Sequence, residues 1–212
     1  MRLALLQTVG QRLDEDPGRP HHRRLARLVT ELLAPAPTAT VLILAVALHS
    51  AASPAAALRW AVLAILFGCI LPSLYIIRGV RRRQLSDHHV RVREQRALPI
   101  LVGLASVLVG LALVVMLGAP RDLIAVVVAM AAGLVVSLLI TLVWKLSVHT
   151  GTVAGTVIIL ALVFGPALLV LEVFSFLVGW ARVELGDHTP AQAIAGGIIG
   201  ALVAALTFSL LR

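Results

Sequence analysis

The sequence predicts an all-α protein, a polytopic helical bundle with about six to seven transmembrane helices. Its 212 residues are 60% hydrophobic and only 13% charged, which is about half the charged fraction of a typical soluble domain. Uncharged runs such as LVGLASVLVGLALVVMLGA and LIAVVVAMAAGLVVSLLITLVW match the roughly 20 residues needed to cross a bilayer. These runs are rich in Gly and Ala and lack polar alternation, so they favour helices over a β-barrel.

Hydropathy predicts seven spans that follow a cytoplasmic N-terminal segment. That segment covers residues 1–33 and includes an interfacial helix over residues 22–33, whereas residues 34–212 form the transmembrane domain. The fifth and sixth spans form one apolar stretch that we divide at Gly165 and Pro166, because proline removes a helix donor and glycine permits a turn. The predicted spans are 35–53, 57–79, 98–117, 121–144, 150–164, 167–183 and 190–211.

The distribution of basic residues predicts which side of the membrane the N-terminus occupies. With a cytoplasmic N-terminus and seven spans, only Arg59, Arg121 and Arg212 lie outside, and all other arginines and the single lysine lie inside. Cytoplasmic loops are enriched in Lys and Arg. We therefore expect a multi-pass protein of the inner (plasma) membrane with its N-terminus in the cytoplasm.

Composition also excludes several kinds of protein. Cys69 is the only cysteine, so a disulfide framework and a cysteine metal cluster are excluded. The net charge of +8 comes largely from arginines beside membrane helices, where anionic lipid headgroups are the usual partners. We expect membrane lipids as partners and no nucleic acid.

The same topology places three polar segments on one membrane face. They are RGVRRRQLSDHHVRVREQR, WKLSVHTG and ARVELGDHTP. In the second, Lys145 and His149 are four residues apart. In the third, Arg182 precedes His188 by six residues, and Gln192 follows His188 by four, which puts both on one helical face.

These residue types suit phosphoryl transfer. Two histidines can provide a nucleophile and a general acid. Arginine and lysine donate to phosphate oxygens, and helix N-termini attract anions. This chemistry needs no metal and no cofactor, and we assign none.

The motifs resemble those of the type 2 phosphatidic acid phosphatase superfamily, which includes lipid phosphate phosphatases and vanadium haloperoxidases. The family signature reads K-x6-R-P, then P-S-G-H, then S-R-x5-H-x3-D. Arg182 and His188 match the third part, and Ser147 and His149 match the second. The resemblance covers about residues 121–211.

The resemblance implies a role for each matched residue. His188 would attack phosphorus, His149 would protonate the leaving oxygen, and Arg182 and Ser147 would bind phosphate oxygens. Gln192 stands where the family has an aspartate that orients the nucleophile. The first motif is missing, and Arg91, Arg93 and Arg96, together with Lys145, are its candidate substitutes for phosphate binding.

The sequence leaves two roles open for several other residues. Asp87, His88 and His89 form either a solvated loop or a metal site, and we favour the loop. Glu172 lies inside a predicted span, where a carboxylate is either functional or close to the outer surface. Gly196 and Gly200 form a small-residue face for packing within the chain or for a homo-oligomer.

Two functions remain from the sequence. The first is a membrane phosphatase that acts on a lipid or isoprenoid phosphate or diphosphate with two histidines at the cytoplasmic face. The second is a noncatalytic lipid-binding, scaffolding or transport protein with a degenerate phosphatase frame. Gln192, Val148 in place of the family's glycine, and the missing first motif favour the second.

Overall fold

The computed structural model describes residues 20–212, and this part of the chain consists of helices without β-strands. The all-α class predicted from hydropathy is therefore confirmed. Residues 1–19, which make up most of the predicted cytoplasmic segment, lie outside the described residues. The helices are α1 (Pro20–Leu32), α2 (Pro35–Ser50), α3 (Pro54–Ile65), α4 (Leu71–Arg81), α5 (Ala97–Met116), α6 (Arg121–Val143), α7 (Val148–Phe164), α8 (Glu172–Glu184) and α9 (Pro190–Leu211).

Five helical segments are long and apolar enough to cross a membrane. They are Pro54–Arg81, Arg93–Met116, Arg121–Val143, Pro166–Glu184 and Pro190–Leu211, and α1 with α2 could form a sixth that bends by 43°. Helix α7 is apolar but has only 17 residues. The protein is thus a multi-pass helical bundle, whereas the seventh crossing and the side of the N-terminus stay predictions.

Two local features interrupt the long apolar segments. Gly165 has a φ of +115°, a conformation open to glycine, and a 3-10 turn over Pro166–Leu171 follows it. The predicted break between the fifth and sixth spans lies here. A π-turn over Leu66–Ile70 joins α3 to α4, and Ser106 donates to the Phe67 carbonyl oxygen of that turn at 2.6 Å. Such turns leave backbone carbonyls in need of a donor.

Helices α7 and α9 pack closely through glycines. A Cβ at Gly200 would lie 2.1 Å from the Gly151 carbonyl oxygen, and one at Gly196 would lie 2.4 Å from the Ser147 carbonyl oxygen. Gly155 also faces Gly200. Small residues let membrane helices approach closely. This small-residue face is used within the chain, and a homo-oligomer through it stays a prediction.

Helix α1 packs against α8. Ala26 and Val29 are buried in one apolar cluster with Val178 and Ala181 of α8. The larger apolar core lies among α2, α3, α5, α6 and α9, with Phe208 fully buried. Leu25, Leu28 and Leu32 of α1 are exposed at spacings that put them on one helical side. Helix α1 thus presents an apolar side away from the bundle, as an interfacial helix does.

Candidate anion site at one end of the bundle

The three polar segments meet at one end of the bundle. Arg96 donates from Nη1 to the Leu146 carbonyl oxygen at 2.8 Å, and Lys145 donates to the Asp187 carbonyl oxygen. Arg91 places Nε 3.0 Å from Asp187 Oδ1. Side chains far apart in sequence therefore form one group, which we call the anion cluster. Its members are Arg91, Arg96, Lys145, Arg182, Asp187 and His188.

The end of α8 explains why a spacing of six residues brings Arg182 and His188 together. Gly186 has a φ of +72°, and this left-handed residue turns the chain back after the last helical turn. The backbone N–H groups of Asp187 and His188 then donate to the Arg182 carbonyl oxygen at 3.0 and 3.2 Å. The R-x5-H spacing therefore reflects a helix end followed by a glycine reversal.

Arg182 carries the most unusual feature of the site. The residue is fully buried, and among the described residues none of its three guanidinium nitrogens has a hydrogen-bond partner. Nη1 lies 3.0 Å from Asp187 Oδ2, but that oxygen accepts no hydrogen bond either. Burying a charged group with unsatisfied donors costs several kcal/mol. A guanidinium kept in this way is suited to an anionic ligand that accepts its hydrogen bonds.

The charges around Asp187 are not balanced. Asp187 is 4% exposed and is shared by Arg91 and Arg182, each at 3.0 Å. Arg96 and Lys145 add two further cations, and the pKa of Lys145 is lowered by burial and by Arg96. Asp87 also pairs with Arg91, at 3.9 Å, so four cations with two carboxylates leave a net positive charge in a largely buried place. An anion is the ligand that this charge favours.

Arg96 fixes the protonation of His188. Its Nε donates to the Val90 carbonyl oxygen at 2.8 Å, and its Nη2 lies 3.4 Å from His188 Nε2. Because guanidinium nitrogens only donate, we infer that Nε2 carries the lone pair and Nδ1 the proton. Burial, followed by Arg96 and Arg182, lowers the pKa of His188 to about 3. The imidazole is therefore neutral near pH 7, with its Nε2 lone pair directed at a cation.

The start of α7 contributes the second histidine. Ser147 is buried and caps this helix, since its hydroxyl accepts from the Thr150 backbone N–H at 3.5 Å. His149 follows in the first turn, is 6% exposed, and has no partner for Nε2 among the described residues. The His89 ring packs edge-on against it with centroids 5.0 Å apart. An imidazole nitrogen is thus free beside a helix N-terminus, where anions are favoured.

A cavity of about 480 Å³ leads from this end into the bundle. Arg96, Ser147, His149 and His89 line its polar end, whereas Arg182 and His188 do not line it. The remainder is mostly apolar. Ile76, Met130, Leu134, Ile159 and Val203 are among the residues that line it. An amphiphile with a charged headgroup and a hydrocarbon tail fits such a cavity.

Comparisons with known proteins find no match. No protein-family model matches the chain, no curated protein matches it, and no solved structure matches it. The family named by the motif resemblance is therefore an expectation. Function has to be argued from the contacts at this end of the bundle.

Not every predicted residue joins the anion cluster. Arg93 donates to the Leu142 carbonyl oxygen at 3.3 Å and pairs with Glu94 at 3.5 Å, and neither partner belongs to the cluster. Glu172 begins α8, whereas His188 follows the other end of that helix, so Glu172 is remote from the site. A carboxylate in the first turn is favoured by the helix dipole.

Gln192 has a different main role from the predicted one. Its Oε1 accepts from the Thr189 backbone N–H at 3.1 Å, and the Thr189 hydroxyl accepts from the Gln192 N–H at 3.3 Å. This capping box starts α9. The amide raises the pKa of His188, against the larger effects of burial and Arg96, which lower it. His188 Nδ1 has no hydrogen-bond partner among the described residues.

Glu31 is the residue that the sequence interpretation missed. Its Oε1 lies 2.9 Å from His88 Nε2 and 3.0 Å from His89 Nε2. These three residues, here called the histidine–glutamate cluster, lie beside the polar end of the cavity. More than 50 residues separate Glu31 from the histidines. The one available signal is that Glu31 is the only acidic residue of α1.

Proposed function

We propose that this protein is an integral membrane phosphatase that acts on a lipid or isoprenoid phosphate or diphosphate. The fully buried Arg182 guanidinium, which has no hydrogen-bond partner among the described residues and stands among three further cations, carries the proposal. A phosphate oxygen would accept its hydrogen bonds and offset its charge. Arg96 and the Ser147 end of α7 would hold further oxygens.

The hydrocarbon part of the substrate would occupy the apolar part of the 480 Å³ cavity. This cavity joins the polar end to the interior of the bundle, so a lipid could place its headgroup at Arg96 and its tail between helices. A free, fully water-soluble phosphate would leave that apolar surface unused. We therefore favour an amphiphilic substrate over inorganic or sugar phosphates.

His188 would act as the nucleophile. For this step Arg96 leaves His188 Nε2, where its contact is a long 3.4 Å, and turns to the phosphate. The Nε2 lone pair then forms a bond to phosphorus while the bond from phosphorus to the leaving oxygen breaks. Burial and then Arg182 hold the pKa of His149 well below its usual value, so the bound phosphate must supply the negative charge that lets His149 take up a proton. His149 then transfers this proton to the leaving oxygen. Water next attacks the phosphohistidine, gives a proton to His149, and inorganic phosphate leaves.

The proposed setting is the inner (plasma) membrane, with the N-terminus and the anion cluster at the cytoplasmic side. The concentration of basic residues in the segments that meet at this end supports that orientation. The substrate would then be an amphiphile reached from the cytoplasmic leaflet. Release of diphosphate instead of phosphate uses the same residues and is included in the test below.

The test is release of phosphate or diphosphate by the purified protein in detergent, without divalent metal. The substrates are phosphatidic acid and isoprenyl phosphates and diphosphates. We expect His188→Ala to lower release by roughly a thousandfold or more, and His149→Ala by at least about a hundredfold. His49→Ala is the matched control, because His49 is exposed at the C-terminal end of α2, whereas the N-terminal end of that helix lines the cavity.

A second function, a noncatalytic lipid-binding protein, is favoured by one specific observation. Within residues 20–212, His188 Nδ1 has no hydrogen-bond acceptor, and the nearby carboxylate of Asp187 pairs with arginines. A nucleophilic histidine usually relies on such an acceptor to hold its tautomer. If folded protein binds the lipid phosphate but releases nothing in any variant, this second function replaces the first.

A further inference from the structure

The histidine–glutamate cluster joins two parts of the chain at the cavity entrance. Glu31 lies in the last turn of α1, and His88 and His89 lie in the segment between α4 and α5. All three line the 480 Å³ cavity and also a second cavity of about 170 Å³. The cluster therefore separates two cavities and connects α1 to this segment.

The backbone of the segment explains how adjacent histidines reach one carboxylate. Neighbouring side chains point apart in a regular helix or strand. Here Asp87 accepts from the backbone N–H groups of His89, at 2.8 Å, and Arg91, at 3.1 Å. The chain also reverses at Val90, whose φ is +46°. The His88 and His89 rings consequently lie side by side, with centroids 4.0 Å apart.

The Val90 conformation has an energetic cost that its surroundings must balance. A β-branched residue at positive φ is a genuine outlier, and the left-handed region costs an L-residue about 1–2 kcal/mol. Val90 is buried, and its carbonyl oxygen accepts from Arg96 at 2.8 Å. Strain kept in this way is often found at functional sites.

The ligand atoms have the spacing of a metal site. Glu31 Oε1 lies 2.9 and 3.0 Å from the two histidine Nε2 atoms, and all three candidate ligand atoms lie within 4.8 Å of one another. Ligands bound tetrahedrally to zinc at 2.0–2.1 Å are roughly 3.3 Å apart. A small outward movement would therefore make room for the ion.

The chemistry of the donors selects the ion. Two imidazoles and one carboxylate form a donor set found in zinc sites, whereas Mg²⁺ and Ca²⁺ prefer oxygen ligands alone. Arg27 and Arg91 line the adjacent smaller cavity and oppose a cation there, but Arg91 is paired with Asp187.

We propose that Glu31, His88 and His89 bind one Zn²⁺ ion, which fastens α1 to the segment between α4 and α5 at the cavity entrance. Three protein ligands leave a fourth position for water or for a phosphate oxygen. The proposal rests on this cluster alone and does not depend on the phosphatase activity.

The test is zinc binding by the full-length protein in detergent, purified with a tag that contains no histidine. Metal content after dialysis and isothermal titration with Zn²⁺ give the stoichiometry and affinity. We expect one Zn²⁺ per chain and no competition by excess Mg²⁺. His88→Ala, His89→Ala and Glu31→Gln should each weaken zinc binding at least about tenfold. Residues that only hydrogen-bond to a metal ligand already contribute about that much to metal affinity.

His22→Ala is the matched control, because it removes an exposed imidazole from the same helix as Glu31. This variant and His188→Ala should bind zinc as the wild type does, and the His188→Ala result separates this proposal from the phosphatase. Substitution with Co²⁺ should give the visible absorption of a tetrahedral site. Absence of stoichiometric zinc in folded wild-type protein would overturn the proposal, as would unchanged affinity in all three ligand variants.

Discussion

Two histidine-containing clusters occupy the same end of the bundle but differ in charge. The anion cluster holds four cations, which the carboxylates of Asp187 and the neighbouring Asp87 balance only in part. The histidine–glutamate cluster sets two imidazoles against the carboxylate of Glu31. The two are close together, because Arg91 pairs with Asp187 and also lines the smaller cavity with Glu31, His88 and His89.

This difference indicates what each histidine can do. His188 faces Arg96, so its lone pair lies in a positive field that favours phosphate nearby and opposes a metal ion. His88 and His89 face a carboxylate, so their lone pairs can be shared with a cation once Nε2 is deprotonated. All three residues are histidines, and the charge of the neighbouring side chain decides whether a histidine is suited to attack a phosphate or to bind a metal ion.

Replacing Arg182 with methionine should change the anion cluster most. Loss of the buried guanidinium should lower phosphate release at least about a hundredfold, because the headgroup loses its buried donors. The melting temperature should not fall, since the variant removes unsatisfied buried donors and Asp187 keeps Arg91. Phosphate release and thermal unfolding in detergent, measured side by side, check this prediction.

Arg59→Met is the control for that substitution, because Arg59 is exposed on α3 and should change neither quantity. Zinc binding should also survive in Arg182→Met, since Arg182 is not one of the proposed ligands. An Arg182→Met protein that retains wild-type turnover would show that Arg182 is not part of the phosphate site.

Replacing Gly200 with alanine should disturb the helix that carries His149. The added Cβ would lie 2.1 Å from the Gly151 carbonyl oxygen, so α7 and α9 must separate. We expect a loss of about 2 kcal/mol in the free energy of unfolding, typical of overpacking. Turnover should fall as His149 moves, whereas zinc binding should change less because no zinc ligand lies on α7.

The matched control is Gly197→Ala in the same helix α9, where an added Cβ would lie an ordinary 3.6 Å from the Ser175 hydroxyl oxygen. Alanine is a better helix former than glycine by roughly 0.5–1 kcal/mol. This variant should therefore be unchanged or slightly more stable. Equal losses in both variants would mean that close packing of α7 on α9 does not hold the site.

Acid should destabilise the wild type through His188. The folded-state pKa of His188 is about 3, below the 6.5 of an exposed imidazole. Below pH 6.5 the unfolded chain takes up a proton that the folded chain excludes. Stability contributed by the neutral imidazole is therefore lost as the pH falls from 6.5 toward 3, by about 1.4 kcal/mol per pH unit. His188→Asn should flatten the fall in melting temperature over pH 6.5–4.5, and an identical slope would contradict the assigned burial.

Hydropathy was sufficient to place the helices. The predicted spans 98–117 and 190–211 correspond to Ala97–Met116 and Pro190–Leu211, because long apolar runs have few alternatives to a helix in lipid. The break at Gly165 followed from local backbone chemistry. The short α7 could not be resolved as a full crossing by composition, since 17 residues is at the lower limit for a span.

The candidate site was only partly predictable. Arg182 and His188 are six residues apart, so their meeting depends on one helix end and Gly186. The choice of Arg96 over Arg93 depends on which side chain points inward at the start of α5, and Glu31 meets the histidines through tertiary packing. The capping role of Gln192 could have been predicted, because Thr189 three residues earlier completes a capping-box pattern.

The most direct test is to identify the phosphorylated residue during turnover. Wild-type protein mixed with its preferred lipid or isoprenyl phosphate would be quenched in alkali, which preserves phosphohistidine, and analysed by peptide mass spectrometry. We expect a phosphoryl group on His188 that is absent from His188→Ala. Turnover by folded protein without phosphate on His188, or binding of the substrate without any turnover, would contradict this expectation.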